Sequence, residues 1–326
     1  MHILIVHNSI IPAHKYGGTE RVIWYLGKEL VKQGHCVSYL VNAKSQCPFA
    51  KVIPFNETIL ISSQIPSDVD VVHFNGIEPD VNIKKPYVIT QHGNLKENTH
   101  FDLNTIFVSK NHATRHNSMA FVHNGIDWDD YGKVDFKTPR KHFHFLAKAA
   151  WRIKNVAGAI KTITNTKQEK LVVLGGYRLN FKMGFRFTLS PRISFKGMVG
   201  GEDKYKWMRN SKGLLFPVKW HEPFGLALIE SLYFGSPVFG TLYGSLPELI
   251  TKDIGFLSNK RSELSEALEN ASHFEPQLCH QAAVDLYNAK IMANKYLSFY
   301  DLVLNGSPVN QEAPKVFPPD NPLVKD

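Results

Sequence analysis

Short apolar runs with almost no polar alternation recur along this chain, and the stretches between them carry apolar residues every three or four positions. A strand wetted on one face alternates polar and apolar side chains. A run without alternation is covered on both faces, which points to a parallel sheet with helices packed on each side. Such runs are His2 to Val6, Val37 to Val41, Val69 to Phe74, Tyr87 to Thr90 and Thr105 to Ser109. After the first comes a polar loop from His7 to Gly18, and then Val22, Ile23, Leu26, Leu30 and Val31 share one helical face, with Gly34 as a stop. The order strand, loop, helix, strand predicts an open, mostly parallel α/β sheet with short connections.

Near residue 130 the pattern breaks at Asp-Trp-Asp-Asp-Tyr-Gly and a basic segment through Lys141, which reads as an inter-domain linker. The alternation then restarts. His142 to Ala147, Leu171 to Leu174, Arg192 to Lys196, Gly213 to Val218 and Pro237 to Phe239 are strand candidates; Val156 to Thr166, Asp203 to Ser211 and Phe224 to Phe234 are helix candidates. Leu278 to Leu304 forms a long helical pattern with a break near Leu297. It reads equally as an ordinary terminal helix or as one that packs back across the first half. The division is therefore 1–135, 136–290, a terminal helix over 291–305 and a tail over 306–326. With Pro308, Pro314, Pro318, Pro319 and Pro322, that tail is expected to be extended and to add little to the core.

A chain of 326 residues, 43% hydrophobic and 12% aromatic, can bury two cores, which sets aside disorder, collagen and coiled coil. The formal charge is +9, so anionic partners are favoured: nucleotide diphosphates, acidic lipid surfaces or nucleic acid. Cys36, Cys47 and Cys279 are too few and scattered for a disulfide scaffold or a thiolate cage, and they suit a reducing compartment. No stretch approaches the length of a membrane span, so membrane contact is expected to be peripheral.

Gly17 and Gly18 precede the first amphipathic helix, whose unpaired N–H groups can face an anion; a tight turn accounts for them equally well. They fit neither G-x-G-x-x-G nor the P-loop pattern. His92, with Gly93 and Asn94, follows a strand candidate at the carboxyl end, where open α/β sheets place ligands. His112 and His116 could share a helical face and read as a surface pair, and no metal-ligating cluster appears. Lys148, Arg152 and Lys154 follow the first strand of the second half and could neutralise a diphosphate. The richest segment is Glu222-Pro223-Phe224-Gly225-Leu226 through Glu230. Eight residues of helix advance about 12 Å, so its two glutamates suit two portions of one elongated ligand better than a direct pair. Ser245 and Glu248 have capping-box spacing, and Gly244 permits close approach to a phosphate.

Together these residues resemble the retaining glycosyltransferases of family four. Glu222-Pro223-Phe224-Gly225 through Glu230 is similar to that family's E-x7-E signature, and Gly235-Ser236-Pro237-Val238 and Gly244-Ser245-Leu246-Pro247-Glu248 follow in the expected order. Gly17-Gly18-Thr19-Glu20-Arg21-Val22 resembles the family's glycine loop, His92 takes the place of its histidine, and Asn124-Gly125-Ile126-Asp127 looks like its N-G-[VI]-D segment. The resemblance implies a GT-B fold, two Rossmann-like domains with a ligand cleft between them, the first taking the acceptor and the second a nucleotide-sugar donor. It implies Lys148 and Lys154 on the donor pyrophosphate, Glu222 on the donor sugar and Glu230 on the ribose. Gly17, Gly18, Phe224, Gly225, Leu226, Gly244 and Ser245 would complete the donor site, with His92 supporting the sugar or acceptor.

The sequence departs from the family at Lys148, where an arginine is usual, and at Ala147, where a glycine is usual. The activity implied is transfer of a hexosyl group from a UDP-linked sugar to a hydroxyl of a glycan or glycolipid, with no metal cofactor. It fits polysaccharide or lipopolysaccharide biosynthesis in the cytoplasm, with peripheral contact at the inner face of the membrane and no nucleic-acid partner. A GT-B epimerase or hydrolase, and a basic RNA- or anionic-membrane-binding protein, are the alternative readings. The donor sugar, the acceptor and the oligomeric state are left open.

Overall fold

The computed structural model describes residues 1–13, 17–95, 100–181 and 183–316. Two six-stranded sheets organise them, both entirely parallel. The first is built from β1 (His2–Val6), β2 (Cys36–Val41), β3 (Lys51–Pro54), β4 (Val71–Asn75), β5 (Tyr87–Gln91) and β6 (Thr105–Phe107), in the order β3-β2-β1-β4-β5-β6. The second uses β7 (His142–Leu146), β8 (Leu171–Leu174), β11 (Ile193–Phe195), β12 (Ser211–Phe216), β13 (Val238–Gly240) and β14 (Gly255–Leu257), in the order β11-β8-β7-β12-β13-β14. Counted within its own sheet, each follows the doubly wound order 3-2-1-4-5-6 of a Rossmann-like domain, so each reverses direction between its first and fourth strands. A short antiparallel pair, β9 (Leu179–Asn180) and β10 (Arg186–Phe187), stands apart. The nine helices of the described residues are α1 (Gly18–Lys32), α2 (Lys110–Thr114), α3 (Val156–Thr164), α4 (Gly201–Arg209), α5 (Leu226–Tyr233), α6 (Leu246–Leu249), α7 (Arg261–Glu269), α8 (Pro276–Leu286) and α9 (Ala289–Leu304). None of the helices is long and apolar enough to cross a membrane, among the described residues.

The chain divides into two compact units. The first holds the described residues up to Asp127 and those from Tyr287 onward; the second runs from Trp128 to Leu286. Both central strand sets are buried, Ile3 to Val6 and Leu214 to Phe216 being closed to solvent, which is why they lack polar alternation. The edge strand β3 and the late strand β14 carry no long apolar run, and periodicity alone does not reveal them.

The segment expected to link two domains begins at the boundary between the units, and its Trp128 is packed into the second, stacking on Tyr233 at 4.5 Å and donating its indole N–H to the Ala283 carbonyl. Three sequence expectations change. The terminal helical pattern breaks at Tyr287 and Asn288, not near Leu297, since the Asn288 side chain caps α9 by accepting from the Ile291 N–H. His112 and His116 are not a surface pair; both are buried and pack edge and face against Phe107. The tail is docked as far as Val316: Asn310 donates to the carbonyls of Leu103 and Thr105, and Val316 packs on the Phe101, Phe107 and Ala113 cluster. Its prolines Pro318, Pro319 and Pro322 lie outside the described residues.

Each unit seats a histidine inside its sheet. His73 on β4 bonds the Tyr300 hydroxyl of α9 at 2.8 Å and the Thr90 hydroxyl of β5 at 2.7 Å. His144 on β7 bonds the hydroxyls of Ser211 and Ser231 at 2.6 and 2.9 Å. Burial disfavours the imidazolium and pushes both down to about 3. In the unfolded chain each would titrate near its ordinary value of about 6.5, so between those limits the unfolded state binds more protons than the folded one. Stability should therefore be full above about pH 6.5 and fall on acidification, by roughly 2 kcal/mol from each histidine at pH 5. Urea midpoints measured from pH 8 to 5 test this; midpoints that stay level or rise on acidification would contradict it.

Candidate functional site

The direction reversal of the second sheet lies between β7 and β12, and the loops leaving their carboxyl ends carry the chemistry. After β7 the chain turns through Arg152–Lys154 to Asn155, whose left-handed backbone starts α3 and whose side chain accepts from the Gly158 N–H. After β12 it runs through Lys219, Trp220 and Glu222 to α5. The two loops are stitched together: Asn155 donates to the Pro217 carbonyl at 2.8 Å and the Lys219 N–H to the Ile153 carbonyl at 2.7 Å.

That stitching brings Lys154 and Glu222 together at 2.5 Å, both buried. The Trp220 indole N–H donates to the same Glu222 oxygen at 2.7 Å, and the Lys154 ammonium lies 4.6 Å from the Trp220 ring and 5.5 Å from that of Phe216. The resemblance assigns these two residues to different parts of a donor; here they hold each other. Glu230, the second glutamate of the signature, sits on α5 and is 1% exposed. Its Oε1 accepts from the Lys204 ammonium at 2.5 Å and the Tyr131 hydroxyl at 2.6 Å. The glutamates thus have separate lysine partners, in keeping with the expectation that they do not pair directly. Lys148 is half-buried with its ammonium 5.4 Å from the Trp151 ring. Arg152 turns elsewhere and donates to the Met183 carbonyl at 2.8 Å.

The glycine-rich segment after β13 supports the Glu222 loop directly. A Cβ on Gly244 would fall 2.2 Å from the Glu222 nitrogen, and its φ is +64°, so only glycine lets the two backbones meet. The Ser245 N–H donates to the Glu222 carbonyl, the Gly244 N–H to the His221 ring, and the Ser245 hydroxyl to the Phe224 carbonyl. The capping box expected at Ser245 is therefore not formed, and these two amides hold the loop instead of an open anion site. Gly225 caps α5 with φ +87°, Leu226 begins that helix, and Phe224 is buried beneath it.

In the first unit, the reversal between β1 and β4 brings together His7, Asn75 and His92. Asn75 is the hub. Its carbonyl accepts from His7 Nδ1 at 2.6 Å, its side-chain Nδ2 donates to the His73 carbonyl, and its Oδ1 faces His92 Nε2 at 2.8 Å. Because the amide nitrogen is spent on His73, Oδ1 must accept, so His92 carries its proton on Nε2 and its lone pair on Nδ1. Burial holds His92 near 3, so it is a neutral imidazole at physiological pH. Gly17 and Gly18 stand at the start of α1, Gly17 buried and Gly18 exposed, neither in the left-handed region. Among the described residues no group of three or more His, Cys, Asp or Glu could hold a metal.

Residues 136–273 match the family model Glycosyl transferases group 1. That match covers the second sheet, Lys154, Glu222 and Glu230. Among solved structures, the fold is similar to that of AviGT4, a glycosyltransferase involved in avilamycin A biosynthesis, with a TM-score of 0.75 at 19% identity over 94% of this chain and 98% of that one. Sucrose-phosphate synthase from Thermosynechococcus elongatus gives 0.70 at 14% over 94% and 100%, and Anabaena Alr3699/HepE in complex with UDP-glucose gives 0.64 at 14% over 94% and 99%. The chain has the GT-B fold. A protein of the Klebsiella pneumoniae cps region, itself uncharacterized, is 27% identical over 115 residues, which span 33% of this chain and about a third (32%) of that relative.

Lys204, Tyr131, His221 and Asn75 escape sequence reasoning, because each acts through a partner distant in the chain; Trp220 escapes it too, although Glu222, to which it donates, is only two positions away. Only the aromatic residue between Lys219 and Glu222 hints at a cation site. The geometry makes a specific prediction for the buried pair. Glu222→Leu alone strands the Lys154 charge and should cost about 3–5 kcal/mol, whereas adding Lys154→Met should restore most of that loss. Chemical denaturation of the single and double variants measures the difference; equal losses in both would show that the pair is not coupled.

Proposed function

We propose that the chain is a retaining glycosyltransferase that moves a hexosyl group from a nucleoside-diphosphate sugar, UDP-linked, to a hydroxyl of a glycan or glycolipid. The observation that carries this reading is the buried Lys154–Glu222 pair at the direction reversal of the second sheet, inside the segment that matches the group 1 transferase model. A charge already stripped of water interacts strongly with an incoming diphosphate and needs no further desolvation when negative charge builds on it. Anabaena Alr3699/HepE, of like fold, has been crystallised with UDP-glucose, which supports a UDP-linked donor.

In this reading Lys148 and Lys154 bind the pyrophosphate, Glu222 exchanges part of its contact with Lys154 for a donor-sugar hydroxyl, and Glu230 serves the ribose end. The bond between the anomeric carbon and the diphosphate oxygen breaks as the acceptor hydroxyl attacks from the same face. The acceptor proton passes to the departing phosphate oxygen. Acceptor binding falls to the first unit, with His92 as a neutral group that positions sugar or acceptor hydroxyls, and Gly17 and Gly18 at the start of α1 as a further phosphate or sugar contact. The cps-region relative agrees with an envelope polysaccharide as product.

A nucleotide-sugar panel read by thermal stabilisation, followed by mass analysis of products with candidate acceptors, tests the proposal. One UDP-sugar should raise the melting temperature and yield a transferred product; free sugar without transfer in the presence of acceptor would favour a hydrolase. Lys148→Ala, at a half-exposed position, should keep the fold and weaken donor binding by roughly tenfold or more. Unchanged donor affinity in that variant, measured by calorimetry, would remove Lys148 from the site.

A further inference from the structure

Between β8 and β11 the second unit carries a hairpin with inverted faces. β9 and β10 pair antiparallel, Leu179 opposite Phe187 and Asn180 opposite Arg186. Carrying that register outward sets Phe181 opposite Phe185, whose rings are 5.7 Å apart, and Tyr177 opposite Leu189, with Met183 at the turn. Every odd position from 177 to 189 is thus a large apolar residue on one face, and all seven are 45% to 78% exposed.

The even positions do the holding. Arg178 donates to the carbonyls of Thr188, Ser190 and Ile193, and Arg186 to the Tyr177 carbonyl and the Thr188 hydroxyl, with its guanidinium 4.8 Å from the Phe195 ring. Asn180 donates to the Gly184 carbonyl, and Arg152 anchors the Met183 carbonyl. Polar groups fasten the hairpin to its unit while the apolar face is left in water. Met183 itself has φ +56°, a conformation that a bulky side chain adopts only where its surroundings enforce it.

A contiguous apolar face of this kind marks an interaction surface. Charge decides the occupant. From residue 170 to 201 the sequence holds six Lys or Arg and no Asp or Glu. A second copy would bring two such acid-free segments face to face and repel. A bilayer of anionic lipid supplies hydrocarbon for the seven apolar side chains and a negative surface potential that attracts this acid-free, net-positive segment. We propose that the 177–189 hairpin is a membrane-docking element that seats its apolar face in the interface of an anionic bilayer. It draws on none of Lys148, Lys154 or Glu222, so it stands or falls apart from the transferase reading.

The experiment is flotation of the full chain with phosphatidylcholine vesicles and with mixed phosphatidylcholine–phosphatidylglycerol vesicles. The wild type should float with the mixed vesicles, less so at high salt, and much less with the neutral ones. The variant Phe181→Ser, Met183→Ser, Phe185→Ser should partition roughly tenfold or more weakly, with an unchanged melting temperature and unchanged donor binding. Leu179→Ser with Phe187→Ser gives the same reading from the adjacent pair if the first variant misfolds. Wild-type protein that stays in solution with mixed vesicles, or variants that float as well as wild type, would overturn the proposal. So would a wild-type dimer that the variants dissolve in the absence of any vesicle binding, which would make a second copy the occupant.

Discussion

The ammonium of Lys154 has left water, and its surroundings compensate that loss with one carboxylate and two aromatic faces. A buried ion pair adds little net stability, since desolvation consumes most of the attraction, but it is costly to break. Its presence therefore constrains its neighbourhood. Two loops that leave different strands must keep a fixed spacing, and the bonds from Asn155 to Pro217 and from Lys219 to Ile153 keep it. A third segment, around Gly244 and Ser245, braces the Glu222 backbone from the other side. Glu230 repeats the arrangement on the next helix with Lys204 and Tyr131.

The first unit solves a similar problem without charge. Around β4, His73, Thr90, Tyr296, Tyr300 and Asn75 are linked so that both ring nitrogens of His73 and the three hydroxyls find a partner within the sheet or on α9. Such a network is stabilising when satisfied, and it orients the groups it contains. One end of it reaches His92 through Asn75, so the ring's tautomer is settled by the amide. The other end reaches Tyr296 and Tyr300, which ties the last helix of the chain to the first sheet. Asn124-Gly125-Ile126-Asp127 completes that return: a Cβ at Gly125 would fall 2.2 Å from the Asn288 carbonyl oxygen, and Ile126 exchanges backbone bonds with Tyr287 and Ala289.

Consistency between local pattern and global fold is the rule along both sheets, and departures from it concentrate where function is expected. The Lys154–Glu222 pair places charge where apolar packing would be simpler. The hairpin at 177–189 places apolar side chains where polar ones would be safer. Neither serves the core of the second unit, whose strands and helices close without them.

What the amino-acid sequence by itself determined is the repeated parallel α/β architecture and the identity of the segments that meet at the second sheet's reversal point. Unalternating apolar runs can be covered only by helices on both faces, and the order of elements then restricts the winding. Helix ends are legible to within a few residues where glycine marks them, as at Gly34 and Gly235. Tertiary structure alone decided partnership. Glu222 and Lys154 are 68 positions apart, Glu230 and Tyr131 are 99 apart, and His73 and Tyr300 are 227 apart. No periodicity encodes such pairs, because periodicity reports which face of an element is dry and not what lies across from it. The same reason hid the burial of His112 and His116, the docking of the tail through Asn310, and the outward turn of the hairpin. In the hairpin, only the packing of Arg178 and Arg186 against their own unit shows that the polar side faces in.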